Sequence, residues 1–184
     1  MNIRTLCMSA SVVVALTMTA TGYAQTAKET AKESPETPLS PDFISRADAT
    51  QLAQAALKEC AARNLPATVL VTDSAGHMRV AMSDDNAKLI GIGSSQTKVN
   101  SVLDFKMSTR ALQERAQSDK AFADKYGKDE RYHFSPGAFP IYRNGKFVAI
   151  LAVGGGRNID EECALAALKT LSWASIAPVS ADKK

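Results

Sequence analysis

Asn144-Gly145 stands between two apolar runs, Ala138–Arg143 and Lys146–Val153. A two-residue hairpin loop whose strands twist normally needs positive φ at both central positions, and Asn-Gly supplies it with little strain. The pair therefore predicts two antiparallel strands with a fixed register. The second run, FVAILAV, is apolar almost without interruption. Such a strand has no polar face, so it predicts a central position covered on both sides. An earlier stretch, Leu65–Ala87, repeats the plan: ATVLV, then the turn TDSAGH, then the alternating run MRVAMS. Asp73 and Gly76 are the turn formers there.

Helical segments surround the two hairpins. Ser45 with Asp48 three residues on predicts an N-cap, and Leu52, Ala53, Ala56, Leu57 and Cys60 share one stripe. Asn64 suits a left-handed C-terminal residue, and Pro66 blocks continuation. A second helix is expected from Ser94 or Ser95, with Val99, Val102 and Leu103 inward and Lys106 at the edge of that face. Ser108 or Thr109 caps a short helix through Ala116, and Ser118–Tyr126 supplies further turns ended by Gly127. After Gly154–Gly156, Asn158 is expected to cap a last helix. Its first turn carries Asp160, Glu161 and Glu162, and its buried stripe is Leu165, Leu168 and Leu171. Antiparallel hairpins between terminal helices predict an α+β fold, not a parallel doubly wound sheet.

The ends read differently. Met1–Arg4 is a short basic stretch, Leu6–Ala20 is apolar, and Thr21–Ala24 offers small residues at a cleavage site. Residues 1–24 are therefore expected to be a secretory signal peptide, which gives a periplasmic or secreted protein with no membrane span after processing. Residues 25–41 are rich in Lys, Glu, Thr and Pro without apolar periodicity, as in a disordered linker. Residues 42–176 form the expected domain and 177–184 a flexible tail. The formal net charge is +3, and about +2 once Arg4 is lost with the leader, too small to argue for nucleic acid or an anionic surface. Loss of Cys7 leaves Cys60 and Cys163. Two buried thiols on helix faces are the favoured reading and a disulfide the alternative.

Few residues carry candidate chemistry. The glycine run matches neither GxGxxG nor GxxxxGK[ST], and the acids behind it repel an anion, so it is read as a strand-to-helix turn. No GxSxG elbow is present, and the adjacent Asp84 and Asp85 read as a solvated turn. His77 and His133 are the only imidazoles and the candidate metal ligands. Met78, Met82, Met107 and the aromatics near His133 are candidate pocket walls. Lys98, one turn into the second helix, is a candidate anion partner, with an exposed helical lysine as the plain alternative.

Val71–Met78, VTDSAGHM, is similar to the hairpin motif VVDAGGHL of the GlcG/HbpS family of haem-binding and haem-degrading domains. Asp85-Asn86-Ala87 partly keeps the D-G-A that follows it. Lys98, Val99, Ser101, Val102, Phe105 and Thr109 resemble the family's helix pattern. Pro136–Ile141, Asn144-Gly145 and Ala149–Gly155 resemble its late glycine-rich motif. The likeness spans about Arg46–Leu171. It implies a profilin-like antiparallel sheet of about five strands flanked by helices, often assembled as homo-oligomers. It also implies haem as the cofactor or small-molecule ligand, with His77 or His133 on the iron and Lys98 on a propionate. Binding without obligatory turnover is the leading expectation. An oligomeric accessory protein of a periplasmic oxidation pathway, and an enzyme acting on haem or a small organic acid, are the alternatives. If the first and last helices pack side by side, as in that fold, Cys60 and Cys163 can meet.

Overall fold

Both hairpins form where the sequence places them, and they share one sheet. The computed structural model describes residues 43–156 and 159–177. The expected leader, linker, Asn158 cap and most of the tail lie outside these residues. The elements are α1 (Arg46–Ala61), β1 (Thr68–Asp73), β2 (Met78–Ser83), α2 (Ile90–Phe105), α3 (Thr109–Ser118), α4 (Lys120–Tyr126), β3 (Ala138–Arg143), β4 (Lys146–Gly154) and α5 (Ile159–Leu168). The strands pair antiparallel in the order β2-β1-β4-β3. Asn144 and Gly145 adopt φ of 51° and 77°, as the β3–β4 turn requires.

The side-chain alternation of β1 and β4 explains the layers. Val69, Val71, Leu151 and Val153 face α1 and α5, while Leu70, Ile150 and Ala152 meet Val99 and Val102 of α2. The sheet is thus sandwiched, and β4 is buried along nearly its whole length. Ser45 caps α1 by accepting from the Asp48 amide at 3.0 Å, and Asn64 turns left-handed with φ 56°.

Four expectations change. The sheet has four strands, not five; its only extension among the described residues is a single bridge between Tyr142 and Ser175. The segment before β3 is a loop, as expected, and its His133 amide is held by Ser101 Oγ of α2. Helix α2 starts at Ile90, ahead of Ser94. Its cap position, Leu89, has no capping side chain to signal a start. Leu165 is 36% exposed, and Cys163, Ala164 and Ala167 make the buried face of α5 with Leu168. Finally, Cys60 and Cys163 are joined in a disulfide with Cα atoms 5.3 Å apart. Both are fully buried, as expected of thiols on helix faces, but the two faces confront each other.

The edges of the sheet are unequal. On β3, Pro140 has no amide to offer, and Tyr142 exchanges backbone bonds with Ser175 at 2.7 and 3.0 Å. On β2, no strand among the described residues pairs with the outer side, and Met78 is 59% exposed. Beside α2, Phe105, Phe122, Tyr126, Tyr132 and Phe134 form a small aromatic core, with ring centres 5.0 Å apart for Phe105 and Tyr126. The charged segment 119–131 therefore folds onto α2, and it positions the loop that carries His133.

Candidate functional site

The candidate residues separate to two ends of the sheet. At the β1–β2 turn, the Asp73 side chain is 1% exposed and fully engaged. Its Oδ1 accepts from the amides of Ala75 and His77, both at 2.9 Å. Its Oδ2 accepts from Arg79 at 2.9 Å and lies 3.2 Å from His77 Nδ1. An ionised carboxylate only accepts, so the His77 Nδ1 carries the proton in this contact. In the neutral ring the lone pair then sits on Nε2. The His77 side chain is 79% exposed, so that nitrogen is open to a ligand. A buried carboxylate behind an imidazole is the usual support of a metal-binding histidine. The sequence identified Asp73 as a turn former; the Asp-x-x-x-His spacing was the signal of its second role.

Burial by itself raises the Asp73 pKa. The His77 amide and ring, the Ala75 amide and Arg79 outweigh it and hold the carboxyl below its ordinary 3.8. Because the folded value is the depressed one, this stabilisation is complete above about pH 4 and is lost as pH falls through the folded value. Acid unfolding followed by circular dichroism is expected to be less steep below about pH 4 in Asp73→Asn than in the wild type. Equal slopes would deny the carboxylate this role.

At the other end lies Lys98. It is neither exposed nor turned to a ligand, because its side chain is 1% exposed. Its ammonium donates to Pro136 O at 3.0 Å, Val153 O at 2.8 Å and Asp160 Oδ2 at 2.7 Å. All three protons are used, and none is left for a propionate. Burial pushes the Lys98 pKa down and the Asp160 pKa up, and each charge opposes the other's shift. The other Asp160 oxygen accepts from the Gly156 amide at 2.8 Å. The glycine-rich turn thus binds the protein's own carboxylate, in line with its reading as a turn. Gly137, with φ +131°, admits this arrangement: a Cβ there would lie 2.6 Å from Asp160 Cβ and 2.9 Å from Lys98 Nζ. Arg110 pairs with Glu161 alongside.

His133 is held on α2 at Ser101, one turn along from Lys98. Its amide donates to Ser101 Oγ at 2.9 Å, and the residue is exposed. Desolvation and then the Lys98 ammonium hold its pKa below 6.5, against the pull of Asp160. The structure therefore brings Lys98 and His133 together and leaves His77 apart. Val153, whose carbonyl binds Lys98, pairs with Val69, four strand residues or roughly 13 Å from Asp73. A cavity of about 330 Å³ is lined by Ala61, Asn64, Leu65, Pro66, Asp84 and Asp85. It holds no imidazole. The methionines do not wall a common pocket: Met78 is exposed on β2, while Met82 packs on the α1–α5 core.

The sequence that builds this sheet and its helices matches a known family model. The model for haem degrading protein HbpS-like covers residues 44–169. The chain belongs to this family. No curated protein matches it. Solved structures share the HbpS-like fold. That of a PduOC:haem complex is 20% identical with a TM-score of 0.66, covering 73% of this chain and 99% of the other. HbpS is 24% identical with a TM-score of 0.61, covering 71% and 91%. The ORFY protein of Klebsiella pneumoniae is 22% identical with a TM-score of 0.61, covering 68% and 88%.

Proposed function

We propose that this chain is an exported haem-binding protein whose iron ligand is His77. The observation that carries the reading is the exposed His77 ring, backed at Nδ1 by a buried carboxylate and open at Nε2. Imidazole is the usual protein ligand of haem iron where binding is the task, and the bound group would supply the redox-active iron. Membership of the HbpS-like family supports the ligand class, as does the haem held by one structural relative. The apolar leader and the Cys60–Cys163 bridge support export, since disulfides persist in oxidising compartments.

His133 is the weaker ligand: among the described residues no carboxylate is hydrogen-bonded to its ring, and its amide alone is held, by Ser101 Oγ at 2.9 Å. Lys106 takes over the role first given to Lys98. Leu103 Cδ2 lies 2.8 Å from where a Cβ on Gly76 would sit, which brings the end of α2 to the hairpin turn. Lys106, exposed at that end over the Phe147 ring, gives one proton to Leu103 O and keeps others free, and is the cation for a propionate.

Haemin titrated into the purified protein is expected to give a shifted Soret band. His77→Ala weakens binding by roughly 10-fold or more, and His133→Ala leaves it near wild type. No shift in the wild type, or equal losses in both variants, would overturn the assignment. Decay of the Soret band with a reductant, with identified products, would add turnover to binding.

A further inference from the structure

We propose that Asp73 and Arg79 form a built-in pair that sets how strongly His77 donates to iron, Asp73 strengthening it and Arg79 restraining it. The inference rests on the haem reading above and assigns roles to two residues that do not touch the ligand. Asp73 is a positioning residue in this scheme, and Arg79 is its counterweight.

The geometry is a shared acceptor. Asp73 Oδ2 receives both the His77 Nδ1 proton, at 3.2 Å, and the Arg79 guanidinium, at 2.9 Å. The shorter, charge-assisted bond goes to Arg79. The carboxylate is buried and hydrogen-bonds both partners directly, with no atom between them. A carboxylate that draws the Nδ1 proton makes the imidazole a stronger donor at Nε2. Charge taken up by Arg79 is withheld from His77. The Arg79 guanidinium also lies over the Phe43 ring at 5.8 Å. The remaining oxygen, Oδ1, is committed to the Ala75 and His77 amides, which fix the carboxylate and the ring on one rigid turn.

Two substitutions then act in opposite directions. Asp73→Asn keeps an oxygen for the two amides but presents an N–H to His77 Nδ1. That nitrogen must now accept, so the ring proton moves to Nε2 and blocks the iron-binding lone pair. Arg79→Gln leaves Asp73 in place and removes its competing cation, so His77 feels the full carboxylate.

The test has two arms. In the ligand-free protein, nitrogen-15 NMR of the ring reads the tautomer. The proton is expected on Nδ1 in the wild type and on Nε2 in Asp73→Asn. In haemin-loaded protein, Asp73→Asn is expected to weaken binding by roughly 10–100-fold and to raise the iron midpoint potential. Arg79→Gln is expected to lower that potential, and Arg79→Lys to return it towards the wild type. A purely structural role would move both potentials the same way or not at all, and either result overturns the proposal. A wild-type ring protonated on Nε2 overturns it as well. If the wild type takes up no haemin, the haem reading falls, while the NMR arm still decides whether Asp73 controls the ring. Circular dichroism of each variant confirms that the comparison is between folded proteins.

Discussion

Asp160→Ala is expected to cost about 3–5 kcal/mol of folding stability, among the largest losses available to a single side chain here. The substitution leaves the Lys98 ammonium buried at 1% exposure with only two carbonyl oxygens for company. It also frees the Gly156 amide, whose acceptor is Asp160 Oδ1. Native proteins of this size have only about 5–15 kcal/mol in hand, so the variant is close to the limit of folding. The companion experiment is the double replacement Lys98→Met with Asp160→Leu. Removing both charges removes both desolvation penalties, and the double variant is expected to recover most of the loss. Urea unfolding of the two single variants and the double variant gives the coupling directly. A loss below about 1 kcal/mol in Asp160→Ala would mean that the site relaxes and admits water.

The second large effect lies in the Cys60–Cys163 bridge. It joins residues 103 apart in sequence, so in the chain-entropy account it removes about 4–5 kcal/mol worth of freedom from the unfolded chain. The Cys60→Ala, Cys163→Ala variant is expected to unfold at a markedly lower guanidinium concentration than the oxidised protein. Both sulfurs are buried between α1 and α5, so reductant is expected to act only as the domain opens. Mass spectrometry of the unreduced protein gives an independent reading, two hydrogens lighter than the reduced form. Two free thiols would remove the bridge from the account.

Much of this fold is written locally. Asn144-Gly145, the Ser45 cap and the left-handed Asn64 each answer to their own neighbours, and each forms as the sequence implies. The start of α2 was not legible, because Leu89 offers no capping side chain. Cys60 and Cys163 both announced burial, but only the packing of α1 on α5 says that they meet. Lys98 shows the same limit more sharply. A lysine on a helix reads as a solvated charge, and the acid that buries it lies 62 residues away in the first turn of α5. Asp160 was legible only as a favourable charge at a helix start. At the hairpin the sequence did better: Asp73, Gly76 and His77 lie within one turn, so their proximity was readable. The carboxylate's second contact, to Arg79, needed the strand pairing.

The unequal sheet edges have a consequence for how the folded protein meets copies of itself. Addition of strands to a sheet propagates when each newcomer brings a second open side. Among the described residues, Pro140 and the Ser175 bridge close the β3 side and β2 is the edge left open to another strand. Two chains joined through β2 would each present a finished edge to the outside. Growth by this route would then stop at two.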